Sequence, residues 1–383
     1  MTISKNIKYI GVTDLNIDLF EGQYPVPEGM LYNSYIILDE KIAVLDTVDK
    51  NFGDVWFANL DKELAGRKPD YLVVHHMEPD HSANIKRFLD KYTNCKVLGS
   101  IVAFNMMKNF FGTDFSERKV VVKDGDTLSL GSHILTFVSA PLVHWPEVMF
   151  SYESSEKVLF SADAFGKFGC DKTTEDWACE ARRYYFGIVG KFGGNVQNVL
   201  KKVSGFDIQT ICPLHGPVLK EDLGYYLGLY DIWSKYEVET EAVTICYTSV
   251  YGNTKEAVEY LNEKLKEKGV KTAVFDLARS DMAEVLEDAF RNSKIVLATT
   301  TYNGDMFPYM KDLINHLIDH NYQNRKMAFI ENGAWAPAAA KAMRAYVEPL
   351  KNMTYCDTTV TIKGAVTDLV KESIDKLVEE LLK

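Results

Sequence analysis

The sequence predicts an α/β protein of two domains, and three observations carry that prediction. At 383 residues the chain is long enough for two separate cores. Short apolar runs alternate with helical stretches along most of it, which points to mixed α/β architecture. From Glu241 onward the alternation becomes regular, with five strands joined by helical crossovers, the pattern of a doubly wound five-stranded parallel sheet. The acidic stretch Tyr236-Glu237-Val238-Glu239-Thr240-Glu241 marks the boundary, dividing the chain into 1–240 and 241–383.

Composition narrows the classes of function. Apolar residues make up 46% and charged residues 25%, as in a soluble globular protein, and no apolar run is long enough to cross a bilayer. The start, Met1-Thr2-Ile3-Ser4-Lys5-Asn6, lacks the apolar core of a signal peptide, so a cytoplasmic location is expected. A net charge of −11 with no basic block argues against nucleic acid or membrane as partner. The six cysteines are scattered with no C-x-x-C pair, which gives neither a disulfide framework nor a four-cysteine iron site.

In the first domain, strands are expected at Tyr9-Ile10-Gly11-Val12, Tyr35-Ile36-Ile37-Leu38 and Ile42-Ala43-Val44-Leu45-Asp46, followed by a helix from Asp54 to Leu64. The apolar run Tyr71-Leu72-Val73-Val74 then leads into His75-His76-Met77-Glu78-Pro79-Asp80-His81-Ser82, where five of eight residues are His, Glu or Asp. Ser82 is expected to open the next helix. Read as extended chain, His76, Glu78 and Asp80 alternate onto one side, with His81 following as the chain turns away. A solvated polar loop is the plain alternative. Gathered acids repel, however, and a cation between them relieves the repulsion. Imidazole suits zinc or iron and carboxylates shift the balance towards iron or manganese, so the loop by itself leaves the metal open.

Further strands each deliver one more candidate just beyond their ends. His133-Ile134-Leu135-Thr136-Phe137-Val138 leads to His144, Lys157-Val158-Leu159-Phe160-Ser161-Ala162 to Asp163, and Ile208-Gln209-Thr210-Ile211-Cys212 to His215. With the four loop residues these make seven, enough for two metal ions sharing a carboxylate. A helical region from Trp177 to Val203 contains Tyr184 and Tyr185, for which two readings stand, a place in the pocket or a place in the helix core, and the core is the expected one.

In the second domain, ligands should bind beyond the carboxyl ends of the strands. The first such loop, Thr248-Ser249-Val250-Tyr251-Gly252-Asn253-Thr254, puts hydroxyls, amides and a helix N-terminus together, which suits a phosphate as well as it suits an ordinary capped turn. It has neither the Lys of a P-loop nor a G-x-G-x-x-G, so a monophosphate fits better than a dinucleotide. Two later loops, Thr301-Tyr302-Asn303-Gly304 and Asn332-Gly333-Ala334-Trp335, pair an aromatic ring with Gly and amides, as bracketing a planar ring requires.

These motifs together carry a resemblance. His-x-Glu-x-Asp-His followed by single His, Asp and His residues at strand ends resembles the metallo-β-lactamase superfamily, an αββα sandwich with a two-metal site at one edge. Glu78 stands where the hydrolytic zinc members have a second His. With 62 residues between His81 and His144 and 18 between His144 and Asp163, it is similar to the flavodiiron proteins (A-type flavoproteins). The three later loops resemble flavodoxin, which implies FMN. The family resemblance implies two non-haem iron ions, one held by His76, Glu78 and His144, the other by Asp80, His81 and His215, with Asp163 bridging. It also implies reduction of O2 to water or of NO to N2O, rubredoxin or another separate electron donor, and a head-to-tail homodimer. Some members place a His in the pocket from the loop before the second strand, and Phe20 to Met30 contains none. Two other readings stand beside this one: a zinc hydrolase with an accessory flavin domain, and an FMN electron carrier with a structural metal domain.

Overall fold

A computed structural model of the protein describes residues 3–170 and 177–383. Met1 and Thr2, the first residues of the segment read above as lacking a signal peptide, lie outside them. The chain forms two compact units, Met1–Ser234 and Lys235–Lys383.

The first unit is built on two sheets. One has six strands in the order Ile7–Tyr9, Tyr35–Leu38, Ile42–Leu45, Tyr71–Val73, Lys96–Gly99, Lys119–Val121. Its last four run parallel to one another, and Tyr35–Leu38 is antiparallel to both neighbours. The other has five, in the order Thr127–Ser129, Ile134–Ser139, Met149–Glu153, Val158–Phe160, Thr210–Cys212. Tyr35, Ile37, Ala43 and Leu45 of the first sheet and Leu135, Phe137, Val158 and Phe160 of the second share one buried core, so the sheets pack face to face. The two-residue period of a strand turns Ile36 to the opposite side, where the helix Gly53–Leu64 packs on its strand.

Local sequence explains several departures from the simple pattern. The single strand expected at Tyr9–Val12 is two, Ile7–Tyr9 and Val12–Asp14, and the second pairs instead with Met30–Tyr32. The break falls at Gly11, where a Cβ would lie 2.4 Å from the Tyr32 carbonyl oxygen, so only glycine admits that approach. The helical region after Trp177 is not uniform. An α-helix at Trp177–Tyr184 passes into a π-turn at Tyr185–Val189 and a 3-10 turn at Gly190–Phe192 before the helix Gly193–Val203. The Gly187 carbonyl within the π-turn accepts the Tyr24 hydroxyl at 2.7 Å.

In the second unit the parallel strands lie in the order Lys271–Asp276, Thr240–Tyr247, Asn292–Tyr302, Lys326–Asn332, Thr354–Ile362. The short strand Asp305–Met306 folds back on the third. This is the doubly wound order in which the chain reverses direction beside its first strand, opening a crevice at the carboxyl edge. The closing helix Asp368–Leu381 shows why its sequence is helical. Val370, Ile374, Leu377, Val378 and Leu381 recur at helical spacing and enter the same core as Ala257, Val258, Leu261 and Leu265 of the helix Asn253–Glu267. No helix among the described residues is long and apolar enough to cross a membrane.

Candidate metal centre and flavin cavity

The strand Tyr71–Val73 delivers the His-rich loop, but the loop is not extended throughout. Pro79, favoured at the first position of a helix, starts a helical turn at Pro79–Ser82, three residues before the point expected from Ser82. A second helix follows at Ile85–Lys91. The expectation that His76, Glu78 and Asp80 share one side is therefore corrected. His76 and Glu78 join His144 and Asp163, while the turn swings Asp80 and His81 to His215.

Each group gathers its ligand atoms within 4.8 Å of one another. His144 Nε2 lies 3.1 Å from both Glu78 Oε2 and Asp163 Oδ2, and His76 Nε2 lies 3.2 and 3.6 Å from the same two oxygens. In the other group His81 Nε2 is 3.0 Å from His215 Nε2 and 3.2 Å from Asp80 Oδ2. Asp163 Oδ1 faces this second group, 3.5 Å from His81 Nε2 and 4.0 Å from His215 Nε2. One carboxylate thus presents one oxygen to each group. His76, His81, Asp163 and His215 are fully buried, and the side chains of Glu78 and Asp80 are 12% exposed.

The donor set fits metal cations. His76 Nδ1 donates to Glu147 Oε1 at 2.8 Å and His215 Nδ1 to the Leu31 carbonyl at 2.8 Å, which leaves each Nε2 free to present a lone pair inward. Both oxygens of Asp80 and Oδ1 of Asp163 are buried without a hydrogen-bond partner. Lone pairs and anions that converge in a dry site call for a cation. Without one, protons take its place. Burial pushes His76 down, but the Asp163 carboxylate with Glu147 and Glu78 outweighs it and holds the ring well above the ordinary histidine value. Burial likewise opposes protonation of His144, which Asp163 and Glu78 raise to about 9. Burial favours neutral Asp163, and His76, His144, His215 and His81 together hold it well below the usual carboxylate range.

Several residues that sequence reasoning assigned no role complete the site. Asp46, with φ of 55°, accepts the His75 backbone N–H at 2.7 Å and the His75 Nδ1–H at 2.6 Å, while Ser151 Oγ lies 2.8 Å from His75 Nε2. That buried chain fixes the backbone just before His76. Glu147 also accepts the Met77 N–H at 2.8 Å. The one signal for either acid was its place at the end of an apolar run or beside His144. Tyr184 takes the pocket role rather than the core role favoured for it, because its hydroxyl donates to Asp163 Oδ2 at 2.9 Å. Tyr185 does lie in the aromatic core, against Phe186, Tyr230 and Trp233. Phe20, Trp145 and Tyr184 pack rings against the site histidines and narrow the space left for water.

In the second unit a cavity of about 630 Å³ opens at the carboxyl edge of the sheet, a size typical of small-molecule sites. Ser249, Val250, Tyr251, Asn253 and Thr254 line it from the first loop, and so do all four residues of Thr301–Gly304 and of Asn332–Trp335. Two of the expected residues lie off its wall. Thr248 is buried beneath, with its hydroxyl 2.6 Å from that of Thr299, and Gly252 supplies a left-handed turn (φ 95°) ahead of the helix Asn253–Glu267. Thr300, which precedes the second of these loops, lines the cavity too, and Ala336 and Gly364 line it and were not anticipated. A helix N-terminus with hydroxyls beside it suits a phosphate, and the aromatic and amide walls suit a flat heteroaromatic ring. Tyr251 and Trp335 are each 92% exposed, so the cavity has an open apolar rim.

Fold and site define a class: a metallo-β-lactamase-like unit with two metal groups, joined to a flavodoxin unit. A family model described as ODP family beta lactamase matches residues 30–216, and a flavodoxin domain model matches 244–367. The chain is 30% identical over 363 residues to a nitric oxide reductase of Moorella thermoacetica, covering 92% of this chain and 90% of that one. It is 29% identical over 356 residues to an anaerobic nitric oxide reductase flavorubredoxin of Escherichia coli, covering 88% and 73%. Among solved structures, the flavodiiron protein of Giardia intestinalis superposes with a TM-score of 0.93 at 25% identity, covering 99% and 95%. The rubredoxin oxygen:oxidoreductase of Desulfovibrio gigas superposes at 0.92 and 23% identity, covering 100% and 98%, which speaks to fold. The chain belongs to the flavodiiron proteins, oxidoreductases whose cofactors are FMN and two non-haem irons.

Proposed function

We propose that the protein reduces O2 to water, NO to N2O, or both, at irons held by residues 1–240 and fed by FMN held in residues 241–383. His76, Glu78 and His144 hold one iron, Asp80, His81 and His215 the other, and Asp163 bridges them. The observation that carries this is Asp163, buried between the two groups with one oxygen towards each. Glu78 supports iron over zinc, because a carboxylate in place of an imidazole suits a redox-active, harder ion. When bound, FMN accepts electrons and the metal pair passes them to a small oxidant.

The chain's own residues prepare that chemistry. Glu147 and the Leu31 carbonyl fix the tautomers of His76 and His215 through Nδ1, so that Nε2 is the atom each ring would offer to an iron. Asp46 holds the two backbone N–H groups that set the entry of the loop, His75 at 2.7 Å and His76 at 3.3 Å. The Tyr184 hydroxyl holds a proton at Asp163 Oδ2, on the carboxylate that would face both irons. Buried aromatic rings around the histidines keep the dielectric low and strengthen these interactions.

Electrons come from rubredoxin or another donor, a reading supported by the names of the flavorubredoxin and rubredoxin oxygen:oxidoreductase relatives. A head-to-tail homodimer, in which one subunit's flavin serves its partner's metals, completes the proposal; a monomer with full activity in sedimentation and turnover assays would rule it out. The central test is metal analysis followed by anaerobic reduction and stopped-flow addition of O2 and of NO in separate arms, reading the flavin. Flavin reoxidation by either gas only when iron is loaded supports the reading, and the faster arm names the substrate. Zinc without iron in the active protein overturns it.

A further inference from the structure

Next to Tyr184 in the chain begins a file of oxidisable rings. The first, Tyr185, lies 5.4 Å from Trp233 between ring centroids. Trp233 stacks on Trp177 at 6.0 Å with the planes 12° apart, Trp177 meets Tyr226 at 4.7 Å, and Tyr226 meets Tyr225 at 5.4 Å. Tyr184 and the three inner rings of the file are exposed by 1% or less, Tyr226 is 5% exposed and Tyr225 is 46% exposed. Leucine or phenylalanine would fill the same core, so packing alone does not ask for this composition. What Tyr and Trp add is that each can lose one electron at potentials phenylalanine cannot reach. Electron tunnelling falls off exponentially with distance, and the ring-to-ring steps from Tyr185 out to Tyr225, 4.7–6.0 Å between centroids, keep those hops short, while Tyr184 joins Tyr185 through the backbone they share.

We propose that Tyr184, Tyr185, Trp233, Trp177, Tyr226 and Tyr225 form a relay that draws oxidising equivalents away from the metal site when O2 arrives before enough electrons do. The inference rests on the proposed function. Reduction of O2 to two waters takes four electrons and four protons. Two ferrous ions give one electron each and reduced FMN gives two, so a turnover begun without the flavin's pair is two electrons short. Tyr225 supplies one electron to the relay and its phenolic proton to water. The electron passes inward ring by ring and, with a proton from water, goes to the oxygen being reduced. A small thiol at the surface then returns one electron and one proton to Tyr225; two such passages close the deficit and turn two thiols into one disulfide. The Arg182 guanidinium, 5.7 Å from the Trp233 ring, disfavours a radical cation resting there and pushes the vacancy on to the exposed tyrosines.

Iron content and O2 uptake of the fully reduced holoprotein are measured first and report on the proposed function alone. The holoprotein is then given half its complement of electrons, mixed with O2 and freeze-quenched for EPR, with oxidised residues mapped by mass spectrometry. The expected result is a radical narrowed by ring-deuterated tyrosine, with oxidation products at Tyr225 and Tyr226. Trp233→Phe, with unchanged iron content, loses both and shifts the damage inward. The double variant Tyr225→Phe/Tyr226→Phe keeps the rings and the packing, and also loses the surface radical. The relay is overturned if O2 is consumed with no tyrosine radical, or if both variants give the wild-type signal. If the chain binds no iron, pulse oxidation by azide radical in the metal-free protein decides instead. Tryptophan-to-tyrosine transfer that is lost in Trp233→Phe supports the relay, and equal transfer in both proteins overturns it.

Discussion

Replacing Glu147 by Gln removes a buried charge without touching a ligand. Oε1 of Glu147 accepts from His76 Nδ1 and from Met77 N, each at 2.8 Å, and the side chain is fully inaccessible. Gln keeps the shape and one acceptor oxygen, so both donors remain bonded, but to a neutral group. A histidine whose Nδ1 partner loses its charge is a weaker donor at Nε2, and loss of such partners typically costs 10–100-fold in metal affinity, roughly 1.4–2.8 kcal/mol. The Gln amide also stands where Oε2 of Glu147 has no partner, stranding a donor and costing the fold about 1–3 kcal/mol. Glu147→Ala strands two donors and opens a cavity, so its loss of affinity and stability should exceed that of Glu147→Gln. Competition for iron against a chromophoric chelator gives the affinities, and thermal unfolding of the metal-free proteins gives the stabilities. If folded Glu147→Gln holds iron as tightly as the wild type, the account of how His76 is oriented is wrong.

Other expectations follow from single contacts. Tyr184→Phe should keep its iron and FMN yet slow flavin reoxidation by gas, because one hydrogen bond to a buried carboxylate, about 1.5–3 kcal/mol, is gone; unchanged single-turnover rates would dismiss a role at the site. Gly333→Ala puts a Cβ 2.8 Å from Pro337 Cα and 3.1 Å from Thr301 Oγ1, so the loop must shift and FMN titration should show weaker binding with the metal content intact. His133 is pushed down by burial, but Glu156 and Asp39, 3.1 and 2.7 Å from its two ring nitrogens, raise it above the ordinary value. Its contribution is therefore whole below pH about 6.5 and fades as pH climbs through the raised value. The melting-temperature gap between wild type and His133→Gln should be widest in acid and narrow above neutrality, and a gap that widens with pH would reverse the sign of this argument.

The parts of the fold that were legible rest on local pattern. The strands and helices after Glu241 follow directly from apolar runs and helical spacing, as the helix Asp368–Leu381 shows. The seven residues of the two metal groups stood out because His, Asp and Glu at strand ends are chemically conspicuous. Their partners were hidden because nothing local identifies them. Glu147 meets His76 across 71 positions of sequence and Asp46 meets His75 across 29, and an acid at the end of an apolar run looks alike whether it is buried or solvated. The grouping of Asp80 turned on Pro79, whose preference for the first helical position competed with an alternating reading of the loop. Ala336 and Gly364 reach the cavity through tertiary placement, and their identities carry no mark of it.

The π-turn at Tyr185–Val189 bears on how this segment tolerates insertions and deletions. Helical segments usually absorb substitution more readily than a change of length, and here the constraint is sharper. Losing one residue from the turn would restore regular α-geometry, but each residue turns the helix by about 100°, so everything on its amino side would rotate relative to the part beyond. Tyr184 would swing off Asp163, and the Gly187 carbonyl that now receives Tyr24 would be drawn back into the helix. A deletion that makes the backbone more ordinary should therefore be worse than most point changes nearby. Relatives that keep a tyrosine against this carboxylate should keep the extra residue with it.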